Sequence, residues 1–367
     1  MSSLLKDIYS PAFYNRFADV LAVVLPDFDK KRFLSLIFTD GYENKALKER
    51  MRHNSLVLQE FMPADFPAAA EMMKKIITRL RAEYFGEDSL AMMFLPDYIE
   101  VYGLDHYETS VKALEFITQF VSCEFAIRPF LLKHTDRLMK QMQLWSLHEN
   151  YKVRRFASEG SRPRLPWGLA IPALKKDPAQ VLAVLENLKN DPSEWVRKSV
   201  ANNLNDISKD HPEVMMAIAR QWHGISKETD AIIKHASRTL LKKGHAEILQ
   251  HYGLESKSLT MTGLQILTPE VKIGDSLEFM FTVTNDHSEK QTVRLEYGIY
   301  YNKANGQLSK KVFKISERPY LPSEKAVIKR KQPFKLITTR TFYPGLHQLS
   351  IIINGEEKEL KSFNIFA

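Results

Sequence analysis

The sequence predicts a helical-repeat solenoid followed by a β-sandwich. Three observations predict it: the apolar period changes near residue 260, helical segments recur about every 40 residues, and hairpin signals gather in the last hundred residues. Up to about residue 253 the apolar spacing is helical. In WVRKSVANNLNDI, Val196, Val200, Leu204 and Ile207 stand three or four residues apart and form one stripe. Pro178, Pro192 and Pro212, each preceded by Asp or His, mark helix starts, because a first-turn residue needs no backbone N–H. VRRFAS from Val153 matches VRKSVA from Val196 at an offset of 43, and IKHASRTLL aligns Lys234 with Lys198 and Leu240 with Leu204 at an offset of 36. Helix pairs with a period near 40 are the pattern of HEAT-like α-solenoids; a compact helical bundle is the competing arrangement.

After Thr260 the period becomes two. SLEFMFTVTN places Leu277, Phe279, Phe281 and Val283 on one face, and TVRLEYGIYY repeats the alternation. Asn305-Gly306 and Asn354-Gly355 are hairpin turns, the second inside IIINGEEKEL. Roughly seven strands in about a hundred residues match an immunoglobulin-like β-sandwich. It has no inter-sheet disulfide, since Cys123 is the only cysteine. The expected domains are therefore residues 1–256 and 257–367.

The bulk composition narrows the function classes. A chain of 367 residues with 44% hydrophobic and 26% charged residues buries a substantial core and is not broadly disordered. A single cysteine argues against disulfides and thiolate metal clusters and fits a reducing, cytoplasmic setting. No apolar run approaches the roughly 18 residues that cross a bilayer. The first residues, MSSLLKDIYSPAFYNRFADVLAVVLP, are interrupted by Asp7, Arg16 and Asp19 and read as an amphipathic helix, not a secretion signal. P-loop and dinucleotide motifs are absent, and His106, His134 and His148 show no ligand spacing, so neither a cofactor nor a metal is expected.

The formal net charge of +8 is unevenly placed. Residues 1–150 carry a net −3, residues 151–243 a net +7 and residues 257–367 a net +6. Superposing the repeats aligns Arg155 with Lys198 and Lys234, Glu159 with Asn202 and Arg238, and Asp206 with Lys242. These positions avoid the apolar stripe, so they are expected on an exposed face that forms a concave basic band suited to a phosphate backbone. Two acids in that band, Glu159 and Asp206, weaken such binding unless they have another task. For Glu159 the alternative is an i,i+4 surface pair with Arg155, worth about 0.3–0.5 kcal/mol. Asp206 sits in a last helical turn, where the dipole disfavours a carboxylate by about 0.3–1 kcal/mol.

At RRFASEGSRPRLPW and WVRKSVANNLNDISKDHPE the chain resembles the AlkC branch of the AlkC/AlkD superfamily of HEAT-like bacterial DNA glycosylases. LKERMRH, LPDYIEVYGLDHYETSVKALEFITQF and SCEFAIRPFL extend the resemblance over nearly all of the helical half, and a terminal immunoglobulin-like domain marks one AlkC subgroup. The resemblance implies excision of cationic alkylated bases, chiefly 3-methyladenine and 3-methylcytosine, from duplex DNA, without full flipping of the base. It also implies active-site roles for Glu124, Glu159, Trp167 and Asp206.

Those residue types suit that chemistry. A base alkylated at N3 is positively charged and leaves without a general acid; what remains is to stabilise the cationic sugar and position a water, which carboxylates do. Trp167 offers a π-face to a positive neighbour, or else a core contact after Pro166. Glu124 is placed to pair with Arg128 at i,i+4 if it has no catalytic task. Arg155, Arg162, Arg164, Lys198, Lys234 and Arg238 are the candidate phosphate contacts, and no lysine is singled out as a Schiff-base nucleophile. The expected enzyme is monofunctional, monomeric, bacterial and cofactor-free, with double-stranded DNA as partner and no membrane. The rival expectation is a non-catalytic repeat scaffold.

Overall fold

The computed structural model describes residues 4–335 and 341–367. Sixteen α-helices precede eight strands among them. The helices are α1 (Pro11–Val24), α2 (Lys30–Ile37), α3 (Leu47–Gln59), α4 (Phe66–Ala82), α5 (Phe94–Gly103), α6 (Tyr107–Thr118), α7 (Arg128–Lys133) and α8 (Thr135–Trp145). They continue with α9 (Tyr151–Gly160), α10 (Pro172–Lys176), α11 (Ala179–Leu188), α12 (Glu194–Ile207), α13 (Pro212–Trp222), α14 (Lys227–Ala236), α15 (Arg238–Lys242) and α16 (Ala246–His251). Two compact units result, one of residues 1–211 and 222–236, the other of residues 212–221 and 237–367.

In the first unit the helices stack in succession: α4 packs on α6, α6 on α9, α9 on α12 and α12 on α14, with α8 and α11 forming a second layer against them. The apolar stripe drives this stacking, since Val196, Val200, Leu204 and Ile207 are all buried. The helix starts follow the sequence chemistry: Ser10 and Asp65 cap α1 and α4 through their side chains, each followed by Pro in the first turn.

In the second unit the strands are β1 (Leu259–Ile266), β2 (Glu270–Lys272), β3 (Ser276–Asn285), β4 (Gln291–Asn302), β5 (Leu308–Tyr320), β6 (Lys325–Pro333), β7 (Gly345–Ile353) and β8 (Glu356–Phe366). They form a three-stranded sheet, β1-β3-β6, and a five-stranded sheet, β2-β8-β7-β4-β5. The strand beyond the expected seven is β2, which pairs parallel to β8 over only three residues, too short to show an alternation in sequence. Leu277, Phe279, Phe281 and Val283 point into the core as their period requires. Both Asn-Gly turns close hairpins, and in the second Asn354 (φ 46°) and Gly355 (φ 79°) take the left-handed pair of conformations that a two-residue turn needs.

His347 on β7 lies in this core against Tyr301, Phe334 and Phe363, with Nδ1 3.0 Å from the Gly345 carbonyl and Nε2 without a hydrogen-bond partner among the described residues. Burial pulls its imidazole below the ordinary histidine range, and the Gly345 carbonyl only partly opposes this. A depressed folded-state value means that the unfolded chain binds the proton first. The associated stability is therefore fully present above pH ~6.5 and is lost as the pH falls towards the folded-state value. The expected result is that His347→Phe flattens the fall in melting temperature between about pH 7 and pH 5 relative to the unaltered chain, measured by calorimetry.

Candidate active site

The site is built between α9 and α12. Asn150 caps α9 by accepting from the Lys152 backbone N–H at 2.9 Å, and Val153, Phe156 and Ala157 bury its apolar side, with Phe156 packed on Trp145. On α12, Ser199, Asn203 and Asp206 recur at i, i+4 and i+7, so they line one face and meet α9. Ser199 Oγ donates to Glu159 Oε2 at 2.7 Å and lies 2.9 Å from the Ser158 hydroxyl, and Asn203 donates to the Ser158 carbonyl at 2.8 Å.

Arg162 joins the two acids. Its Nη1 donates to Glu159 Oε1 at 2.6 Å and its Nε to Asp206 Oδ2 at 2.8 Å, while Lys209 Nζ holds Asp206 Oδ1 at 2.8 Å. Burial alone would lower the Arg162 guanidinium, but Glu159 and Asp206 outweigh it and raise it. The dipole misfit expected for Asp206 is thus offset by two cations.

These positions are not on the open face that the sequence analysis expects. Glu159 is 7% and Asp206 1% exposed, because two polar faces that avoid their own apolar stripes pack on each other when α9 and α12 stack. Nor is Glu159 paired with Arg155. Arg155 reaches instead to Ser122 Oγ at 2.8 Å and Glu124 Oε2 at 3.6 Å, and its guanidinium lies 4.8 Å from the ring centre of Trp195. Glu124 Oε2 makes no hydrogen bond among the described residues. Burial pushes the Glu124 carboxyl up, Arg155 opposes this, and the charge of Glu159 adds to it.

The alternative pairing of Glu124 with Arg128 is also absent: Arg128 is fully buried, its Nε and Nη1 go to main chain, and its Nη2 has no hydrogen-bond partner among the described residues. It donates to the carbonyls of Gly160 (2.7 Å), Arg162 (2.7 Å) and Leu169 (2.8 Å), which spans the loop after α9. Burial lowers its guanidinium to about 10. Trp167 stands on this loop 65% exposed, which removes the core-contact alternative. Its φ of 65° is left-handed, a conformation that costs a residue with a Cβ about 1–2 kcal/mol. Strain of this kind persists where surrounding bonds over-determine the loop and clusters at functional sites.

The expected phosphate contacts separate into distinct environments. Arg162 is internal and bonded to both acids, and Arg155 is largely covered. Arg164 is paired with Asp210 and exposed Lys198 with Glu194. Lys234 is half-buried on α14 and Arg238 half-buried on α15, in the other unit. Sequence reasoning missed Ser199, Lys209 and Trp195, and gave Arg128 the wrong partner. Of these only Lys209, three residues after Asp206, left a readable signal. Among the described residues no three His, Cys, Asp or Glu side chains converge to hold a metal, and no helix is long and apolar enough to cross a membrane.

Comparison with known proteins matches both parts of the chain. Residues 64–242 fit the family model described as DNA alkylation repair enzyme, and residues 260–367 fit that of the C-terminal Ig-like domain of YhaZ. The chain is 45% identical to the uncharacterized protein YhaZ of Bacillus subtilis (strain 168) over 362 residues, 98% of this chain and 99% of that protein. It superposes on the Pseudomonas fluorescens alkylpurine DNA glycosylase AlkC, solved bound to DNA containing an abasic site analog, with a TM-score of 0.91, 34% identity and 100% of each chain covered.

Proposed function

The chain belongs to the AlkC branch of the AlkC/AlkD superfamily of DNA glycosylases, and from that premise we propose that it hydrolyses the N-glycosidic bond of cationic alkylated bases, 3-methyladenine and 3-methylcytosine, in duplex DNA. The observation that carries this reading is the Glu159–Arg162–Asp206 bridge, in which two carboxylates are fixed side by side in the interior.

The alkylated base carries its own positive charge, so the bond to the sugar breaks without prior protonation, and positive charge grows on the deoxyribose. Two fixed carboxylates beside a low-dielectric interior favour that charge and require no reorganisation when it develops. Each acid oxygen is already bonded, so Glu159 and Asp206 act through their field more than by accepting a proton. Glu124 differs, having an oxygen without a hydrogen bond among the described residues and a raised affinity for protons, which suits a base that takes a proton from the attacking water. Trp167 presents an exposed indole whose π-face favours a cationic sugar. The base remains in the duplex stack or only partly displaced, as in the AlkC branch. A neutral normal base lacks the charge that these groups recognise, and selectivity follows.

The reading is tested by incubating methylated duplex with the protein and separating the released bases. Free 3-methyladenine and 3-methylcytosine, an abasic product and no borohydride-trapped adduct are expected. A bound but chemically unchanged duplex would support the scaffold reading instead.

A further inference from the structure

Lys48 lies on α3, more than a hundred residues before Trp167. Its ammonium donates to the main-chain carbonyl of Trp167 and sits 5.1 Å from the ring centre of Phe125, the residue next to Glu124. Leu47, Lys48, Met51, Phe125 and Trp167 line one small apolar cavity. A single side chain therefore touches both segments that carry proposed site groups. Arg128 fixes the loop from within at Gly160, Arg162 and Leu169 and makes no bond to Trp167 among the described residues. On the α5 side, Arg52 is 2.9 Å from the buried Asp97 and 2.7 Å from Glu100, and the charge of Lys48 also acts on both acids. The ammonium is thus bonded to the Trp167 carbonyl, and its charge favours the ionised forms of the two acids that Arg52 holds.

We infer that Lys48 is a positioning residue that cross-braces the Glu124 segment and the Trp167 loop, an inference that rests on the glycosylase reading for its kinetic consequence. The competing role for a lysine near a DNA-binding groove is a phosphate contact. The two roles separate cleanly, since a phosphate contact contributes to the salt dependence of binding and a brace does not.

The test compares the full-length chain with Lys48→Met, which keeps the apolar stem, and Lys48→Arg, which restores a donor. Lys48 is exposed, so neither change removes core. Amide hydrogen exchange is read over residues 163–169, with single-turnover release of 3-methyladenine and duplex affinity across a salt series. Lys48→Met is expected to speed exchange in that loop and to lower base release about tenfold, the scale of a small misplacement at a site. Duplex affinity stays within about twofold and the salt slope is unchanged; Lys48→Arg recovers both loop protection and rate. A salt slope reduced by about one unit with unaltered exchange identifies a phosphate contact and overturns the inference. So does a Met variant equal to the parent in every readout. If the parent itself releases no base, the glycosylase reading fails, while the exchange data still decide whether Lys48 holds the loop.

Discussion

Asp206→Asn lowers single-turnover excision of 3-methyladenine by about 10²–10³-fold, the range found when one preorganised electrostatic group is removed from a site, while duplex affinity is unchanged or tighter. The separation follows from where the charge sits. In the unaltered chain Asp206 offsets Arg162 and Lys209, which bond it at 2.8 Å each. With the carboxylate neutralised, Arg162 still has Glu159 but Lys209 has no anion at that position, so net positive charge faces a sugar that is itself becoming cationic. The barrier rises while attraction for phosphates does not fall. Rate is to be measured with enzyme in excess and affinity by titration at matched salt. Equal losses in rate and affinity would make Asp206 a scaffold residue.

Arg162→Met gives the largest expected loss of stability. Arg162 is 5% exposed and its guanidinium is shared by two carboxylates, so its removal leaves both buried without their common cation. Breaking a buried ion pair from one side costs about 3–5 kcal/mol. Ser199 and Lys209 still serve one oxygen of each acid, which places the loss below that of two fully orphaned charges. Urea unfolding reads the midpoint shift. The double change Arg162→Met with Asp206→Asn should recover part of it, because one of the two uncompensated charges is then gone. No loss in the single variant would show that the Arg162 bridge to the two acids does not stabilise the fold.

Much of the architecture was legible because it depends on periodicity. The stripe of Val196, Val200, Leu204 and Ile207 names the buried side of α12, and the alternation of Leu277 to Val283 names the core side of β3. The short parallel strand β2 was not legible, since three residues carry no period. At the site, residue identity was readable but partnership was not. The i,i+4 rule pairs Glu159 with Arg155 and Glu124 with Arg128, but helix stacking gives Glu159 to Arg162 and Glu124 to Arg155, and turns Arg128 on the loop carbonyls. Local spacing knows nothing of the neighbouring helix. For the same reason Glu159 and Asp206, polar and off the stripe, read as exposed although a second polar face covers them.

Fixed negative charge at Glu159 and Asp206 is proposed to favour a cationic sugar. Duplexes carrying a pyrrolidine abasic analogue, positively charged at the sugar, and a neutral tetrahydrofuran analogue differ in little else, so their affinity ratio reads that effect alone. The unaltered chain is predicted to bind the charged analogue more tightly by about tenfold or more, which corresponds to about 1.4 kcal/mol or more, with the preference largely abolished in Asp206→Asn and in Glu159→Gln. Equal affinity of the unaltered chain for the two duplexes would contradict it.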